Sequence, residues 1–189
     1  VTIEVAYTLT DENELNIKYK ATTTEDTLLN LTNHAYFNLD GISGNTLDQK
    51  LQINAEKFLE LDDEKIPTGN FIPMENHAFD FRSSKNVVTG IDHCFVLKNN
   101  TEPAAILESV KNGVTMKVYT DQPAVQIYVG GKTSDELQNK ESVEYHTESG
   151  ICFETQIFPD APNHEDFPNA ILRKGETYQQ NTTFQFIIS

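Results

Sequence analysis

The sequence predicts an all-β chain, an antiparallel β-sandwich, and three observations carry that expectation. Apolar and polar residues alternate from Ile3 through Val5, Tyr7 and Leu9, and again from Leu15 through Ile17, Tyr19 and Ala21, which is the period-two pattern of half-buried strands. Turn residues punctuate the chain at short intervals, most clearly at Asn112-Gly113, a dipeptide that accepts the positive φ angles of tight hairpins. No apolar repeat of helical period persists for two turns. Short strands separated by turn signals fold as two packed sheets.

Taken in order, residues 3–9 and 15–21 form a hairpin about a turn at 11–14. In residues 30–39, Asn30, Thr32, His34, Tyr36 and Asn38 share one face of an extended segment, and Leu31, Asn33, Ala35, Phe37 and Leu39 share the other. The first face combines hydrogen-bonding groups with an aromatic ring, the mixture that sugar hydroxyls and the flat face of a pyranose require; a solvated edge strand has the same pattern. Asp40-Gly41 and residues 43–45 mark a loop before a strand at 51–55. A short strand and a turn at Pro67-Thr68-Gly69 follow, then strands at 95–97, 105–110, 114–119 and 125–129. Residues 134–149 are polar and read as a surface loop, and the last strand is expected over 182–188. A single β-sandwich domain over 1–189 accommodates this series, with no repeat or linker.

Composition narrows the function. Twenty-nine acidic residues against 14 Lys and Arg give a net charge of −15, which disfavours nucleic acid and anionic membrane surfaces as partners. Arg82 and Arg173 are the two arginines, few for a site that grips a sugar phosphate with guanidinium forks. Cys94 and Cys152 have no metal-ligand spacing, and two thiols suit a reducing, cytoplasmic compartment. No apolar run reaches membrane-spanning length.

The stretch from Gly150 to Phe186 holds the most informative chemistry. By alternation Ile151, Phe153 and Ile157 point one way and Cys152, Glu154 and Gln156 the other, leaving a carboxylate mid-strand. The following segment contains Pro159, Pro162 and Pro168, so it cannot continue a central strand and folds back as a stiffened loop. A carboxylate under a rigid loop suits a general base, although a lone glutamate on a sheet face is more often simply solvated.

The run ETQIFPDAPNHEDFPNAIL followed by KGETY resembles the C-terminal signature of the aldose 1-epimerases, or galactose mutarotases. NLTNHAYFNL, GIDHCFVL and DQPAVQIYVGG resemble further stretches of that family, and FDFR fits a recurrent one to which no chemistry is assigned. The resemblance implies a mutarotase-like supersandwich in which Glu154 is the catalytic base, His34 the catalytic acid, and Asp92 and Gln126 bind sugar hydroxyls. It implies a monosaccharide substrate, galactose or glucose, and no metal or other cofactor. His77 and His146 are expected to be exposed, His93 to pack, and His164 to brace the loop or touch ligand. A carboxylate beside an imidazolium is expected to titrate low.

The family's N-terminal part, which supplies an Arg with an adjacent Asn and a further His, has no counterpart here, and the segment between Arg82 and Gly90 is short. The expectation is a chain corresponding to the C-terminal part of a mutarotase, associating with a complementary N-terminal chain or with itself. The competing readings are a non-catalytic carbohydrate-binding sandwich, and a glycoside hydrolase using Asp92 and Glu154, which would leave His34 without a role.

Overall fold

The computed structural model describes residues 1–42, 44–98, 101–130, 142 and 147–188. The expected hairpin forms as β1 (Thr2–Leu9) and β2 (Glu14–Thr22), paired antiparallel with Val5 opposite Tyr19 and Tyr7 opposite Ile17. Two short strands follow, β3 (Thr27–Leu28) and β4 (Tyr36–Phe37), then β5 (Lys50–Ile53), β6 (Ala55–Leu61), β7 (Pro67–Pro73), β8 (Lys85–Asn86) and β9 (Asp92–Leu97). The remainder are β10 (Ala105–Glu108), β11 (Val114–Thr120), β12 (Ala124–Val129), β13 (Ile151–Gln156), β14 (Ile171–Leu172) and β15 (Thr177–Ile188). Among the described residues the only helical pieces are 3₁₀ turns at Thr46–Asp48 and Ala161–Asn163.

The strands form two large antiparallel sheets. One has the order β1-β2-β15-β11-β10-β5-β8, the other β4-β13-β12-β9-β6-β7, and β14 pairs with β3 in a small third sheet. The core lies between the large sheets. Ile17, Leu51, Met116, Val118 and Phe184 from the first meet Phe58, Phe95, Val125, Ile127 and Phe153 from the second, all nearly inaccessible to water. A second cluster covers part of the opposite face of the six-stranded sheet. There Phe158, Ala161, Phe167 and Ala170 of the proline-rich loop pack on Leu59, Cys94 and Ala124. Burial of such side chains stabilises by about 1.5–3 kcal/mol each, so the loop is anchored on the sheet.

Several local expectations are corrected. The face proposed for residues 30–39 does not form a continuous strand; only Tyr36 and Phe37 pair with a neighbour. Asn30 instead bonds both backbone groups of Ile157 at 3.1 Å, and Asn38 bonds the carbonyls of Gly44 and Ser149 and accepts from Gln49. These side chains are engaged with backbone rather than free for a ligand. The turn placed at Pro67-Thr68-Gly69 falls at residues 62–66, where Asp62 Oδ1 accepts from the amides of Glu64 and Ile66 at 2.9 Å. An aspartate supplying its own turn outcompetes the proline signal, and Pro67 starts β7. The connection at Asn112-Gly113 is a five-residue loop between β10 and β11, with Gly113 at φ 73°. Most of the polar stretch 134–149, including His146, lies outside the described residues.

Candidate active site

Register brings the predicted residues onto one face of the six-stranded sheet. Gln126 on β12 stands directly opposite Glu154 on β13 and, on its other side, Cys94 on β9. Tyr128 stands opposite Cys152 and Asp92. Because residues two apart share a face, Glu154, Gln126 and Cys94 form one row and Cys152, Tyr128 and Asp92 the next. Phe153 and Ile127 point the other way into the core.

His34 reaches this surface from irregular chain rather than from a strand. The Asn30–Ile157 bonds hold one end of its segment, and Tyr36, paired opposite Cys152, holds the other. Tyr36 sits against Gly150, where an added Cβ would come within 2.9 Å of the Tyr36 Cβ, so glycine is required for the segment to lie that close. The result is a 3.1 Å contact between His34 Nε2 and Glu154 Oε1, with the His34 side chain 52% exposed and the Glu154 side chain 12%. Tyr36 and Tyr128 flank the imidazole at 5.2 and 6.1 Å between ring centroids.

The other ring nitrogen, Nδ1, lies 3.5 Å from Cys152 Sγ. Burial, with the Glu154 charge adding to it, pushes the Cys152 thiol up to about 12, so it stays protonated and donates weakly to Nδ1. In the neutral imidazole Nε2 then carries the proton and donates to Glu154. Burial raises Glu154 itself above the ordinary glutamate value of 4.5; His34 opposes the shift and the charge of Asp92 adds to it. The expected lowering by the imidazole is therefore reversed, because desolvation of a largely buried carboxylate outweighs the attraction of a half-exposed ring.

Asp92 is held in the opposite sense. Burial pushes its carboxyl up, but hydrogen bonds from Lys65 Nζ at 2.7 Å and Gln126 Nε2 at 2.8 Å leave it below its ordinary value. A carboxylate has about four lone-pair positions, so the two bonds leave Asp92 able to accept from a ligand. Lys65 comes from the β6–β7 turn at φ 65° and has no signal in the sequence. Tyr128 and Cys152 were within reach of the period-two rule, since each lies two residues from a predicted site residue.

All four predicted residues line one open cavity of about 720 Å³, together with Tyr36, Tyr128, Lys65 and Pro159. Pockets of about 300–1,000 Å³ accommodate small molecules. Among the described residues, His77, His93 and His164 are not part of its lining. His93 packs against Phe58 and Phe79 at 5.2 and 4.9 Å, as expected of a packing residue. His77 is half-buried on the same rings rather than exposed, with its Nδ1 accepting from the Phe79 amide at 3.0 Å. His164 braces the proline-rich loop: Nε2 lies 3.1 Å from the Pro67 carbonyl and 3.2 Å from Asp160, and the ring stacks on Phe167.

The fold defines a class first. The structure is similar to a GalM/aldose epimerase homologue from C. elegans, with a TM-score of 0.88 at 32% identity over 98% of this chain and 59% of the other. It is also similar to galactose 1-epimerase from Lactobacillus acidophilus, with a TM-score of 0.85 at 28% identity over 99% and 57%. This is a galactose mutarotase-like β-sandwich. The family model for aldose 1-epimerase matches residues 1–185, and the chain belongs to that family. It is 41% identical to mouse galactose mutarotase over 98% of this chain and 57% of the mouse protein. To aldose 1-epimerase of Escherichia coli K12 it is 36% identical over 97% and 58%. The chain thus spans a little over half the length of these relatives.

Proposed function

We propose that this chain carries the acid–base centre of an aldose 1-epimerase that interconverts the α and β anomers of galactose or glucose. The observation that carries the reading is the 3.1 Å pairing of His34 with Glu154 in the cavity that Asp92 and Gln126 also line. Anomer exchange needs a proton taken from the C1 hydroxyl and a proton given to the ring oxygen. Both oxygens are bonded to C1, so the two protein groups must stand close together. Glu154 is the base and His34, as imidazolium, the acid; the C1–O5 bond breaks as the C1 hydroxyl becomes a carbonyl. Rotation about C1–C2 presents the other carbonyl face, and the same groups act in reverse to close the ring. Asp92 and Gln126 hold ring hydroxyls so that the two oxygens on C1 face the pair, and Tyr36 and Tyr128 offer apolar ring surface beside it. Each positioned acid or base contributes about 10²–10⁴ in rate.

The same reading takes residues 1–189 as one domain that works with further polypeptide, in a cytoplasmic setting. Ile3, Val5, Tyr7 and Leu9 are 40–78% exposed along the edge strand β1, a row that apolar contact would cover. The greater length of the relatives favours a stretch corresponding to their N-terminal part as the cover, with a second copy of this chain as the alternative.

Polarimetry on freshly dissolved α-galactose tests the activity, with the chain alone and with the added N-terminal part. Optical rotation that relaxes no faster in either case than in buffer leaves a carbohydrate-binding module instead. A stable lone monomer in analytical ultracentrifugation, unchanged by the added part, would sink the proposed association.

A further inference from the structure

We infer that His34, Cys152 and Glu154 form a binding site for a soft divalent transition-metal ion of the zinc type. One ligand atom from each residue lies within 4.8 Å of those of the other two. No spacing in the sequence announces this set: Cys152 and Glu154 share a face of β13, and His34 arrives from more than a hundred positions away in the chain. The His34 Nδ1 to Cys152 Sγ distance is 3.5 Å. Zinc bonds of about 2.0–2.1 Å to nitrogen and about 2.3 Å to sulfur, at a tetrahedral angle, separate their ligand atoms by about 3.5 Å. Nitrogen and sulfur are therefore already at zinc spacing. Zinc accepts sulfur, nitrogen and carboxylate oxygen together.

Glu154 meets the other ring nitrogen, Nε2, at 3.1 Å, so the half-exposed imidazole turns to present a single nitrogen to an ion that Cys152 and Glu154 also hold. His34 and Glu154 line the cavity, and Cys152, fully buried behind them, is reached from it as the ring turns. Binding breaks the Cys152 S–H bond, the sulfur electron pair forms the metal–sulfur bond, and the proton passes to buffer; no oxidation state changes. The ion takes the lone pairs that proton transfer needs, so it inhibits. That inhibition rests on the proposed function, whereas the binding does not.

Titration of the full chain with Co²⁺ and Zn²⁺ tests the site. Co²⁺ is expected to produce a near-ultraviolet thiolate charge-transfer band that saturates at one ion per chain, and Zn²⁺ to abolish it. Cys152→Ser removes the band, Cys94→Ser keeps it, and His34→Gln weakens Zn²⁺ binding by at least about 10–100-fold, the cost of losing even an outer partner. His34→Gln alters a half-exposed side chain and so serves if Cys152→Ser does not fold. No band, a band that survives Cys152→Ser, or Zn²⁺ affinity unchanged in both variants means adventitious binding to surface carboxylates and overturns the site. A band without mutarotation sinks the proposed function alone, and mutarotation without a band sinks the metal site alone.

Discussion

Strands β1 and β13 differ in what meets their side chains. Each alternates, but β13 lies between β4 and β12 with the core on one face and the cavity and the proline-rich loop on the other. Every residue of β13 except Glu154 is buried. β1 is an edge strand in which all eight residues are exposed, although Ile3, Val5 and Tyr7 stand opposite Ala21, Tyr19 and Ile17, which are buried. This apolar row stands in register with core residues yet open to water. The two strands teach that alternation specifies which residues share a face, while burial of that face depends on what lies against it.

Breaking the covered strand gives the largest expected effects. On activity, Glu154→Gln and His34→Gln are each expected to slow mutarotation by about 10²–10⁴, with the far-ultraviolet spectrum retained; polarimetry reads the result, and near-normal rates in either variant would remove that residue from the chemistry. On stability, Phe153→Ala at a position 1% exposed is expected to cost about 3–5 kcal/mol in urea unfolding. Leu9→Ala, at 78% exposure on β1, should stay within about 0.5 kcal/mol. Equal costs for the two would erase the contrast.

The contrast sharpens if β1 is tested for association instead of stability. Val5→Lys should leave unfolding of the lone chain unchanged within about 0.5 kcal/mol. It should abolish or weaken association in sedimentation runs with the N-terminal part, since a charge would be buried at the contact. Unaltered association means that the partner lies elsewhere. Within the cavity, Asp92→Asn weakens charge-assisted bonds worth about 1.5–3 kcal/mol each, and should act mainly on KM.

The smallest effect is the pH dependence at Glu154. Its carboxyl titrates above the ordinary value near 4.5 in the folded chain, so the unfolded chain releases this proton first as pH rises. The stability associated with the protonated group is present below the ordinary value and is lost as pH rises through the elevated one. Glu154→Gln is therefore expected to gain stability relative to the parent across that window, and the two should converge under acid conditions. Mutarotation should fall on the acid side at a pH above that expected for an exposed glutamate. A parent that gains on the variant as pH rises would reverse the assignment.

The amount legible without coordinates followed from how local each signal is. The β1–β2 hairpin and the two-faced character of β13 depend on neighbours in the chain, and alternation exposed both. Of the polar face in residues 30–39, His34 and Tyr36 line the cavity, whereas Asn30 and Asn38 have the polarity of ligand-binding groups but hold backbone, a difference set by partners over a hundred residues away. Lys65 depends on an aspartate-capped turn whose direction no periodicity encodes. His77 was expected in water because its neighbours are polar, yet the rings of Phe58 and Phe79 enclose it.

By itself, the order of residues determined the all-β class, the pairing pattern of the first hairpin, the face shared by Cys152, Glu154 and Gln156, and, through resemblance, the four residues to watch. Only the tertiary structure decided that His34 lies within 3.1 Å of Glu154, that Lys65 and Gln126 share Asp92, and that burial lifts one carboxyl while donors lower the other. Chain chemistry sets the face on which a side chain emerges within a few residues. Distances across strands, and the water each group loses, arise only when remote segments pack together.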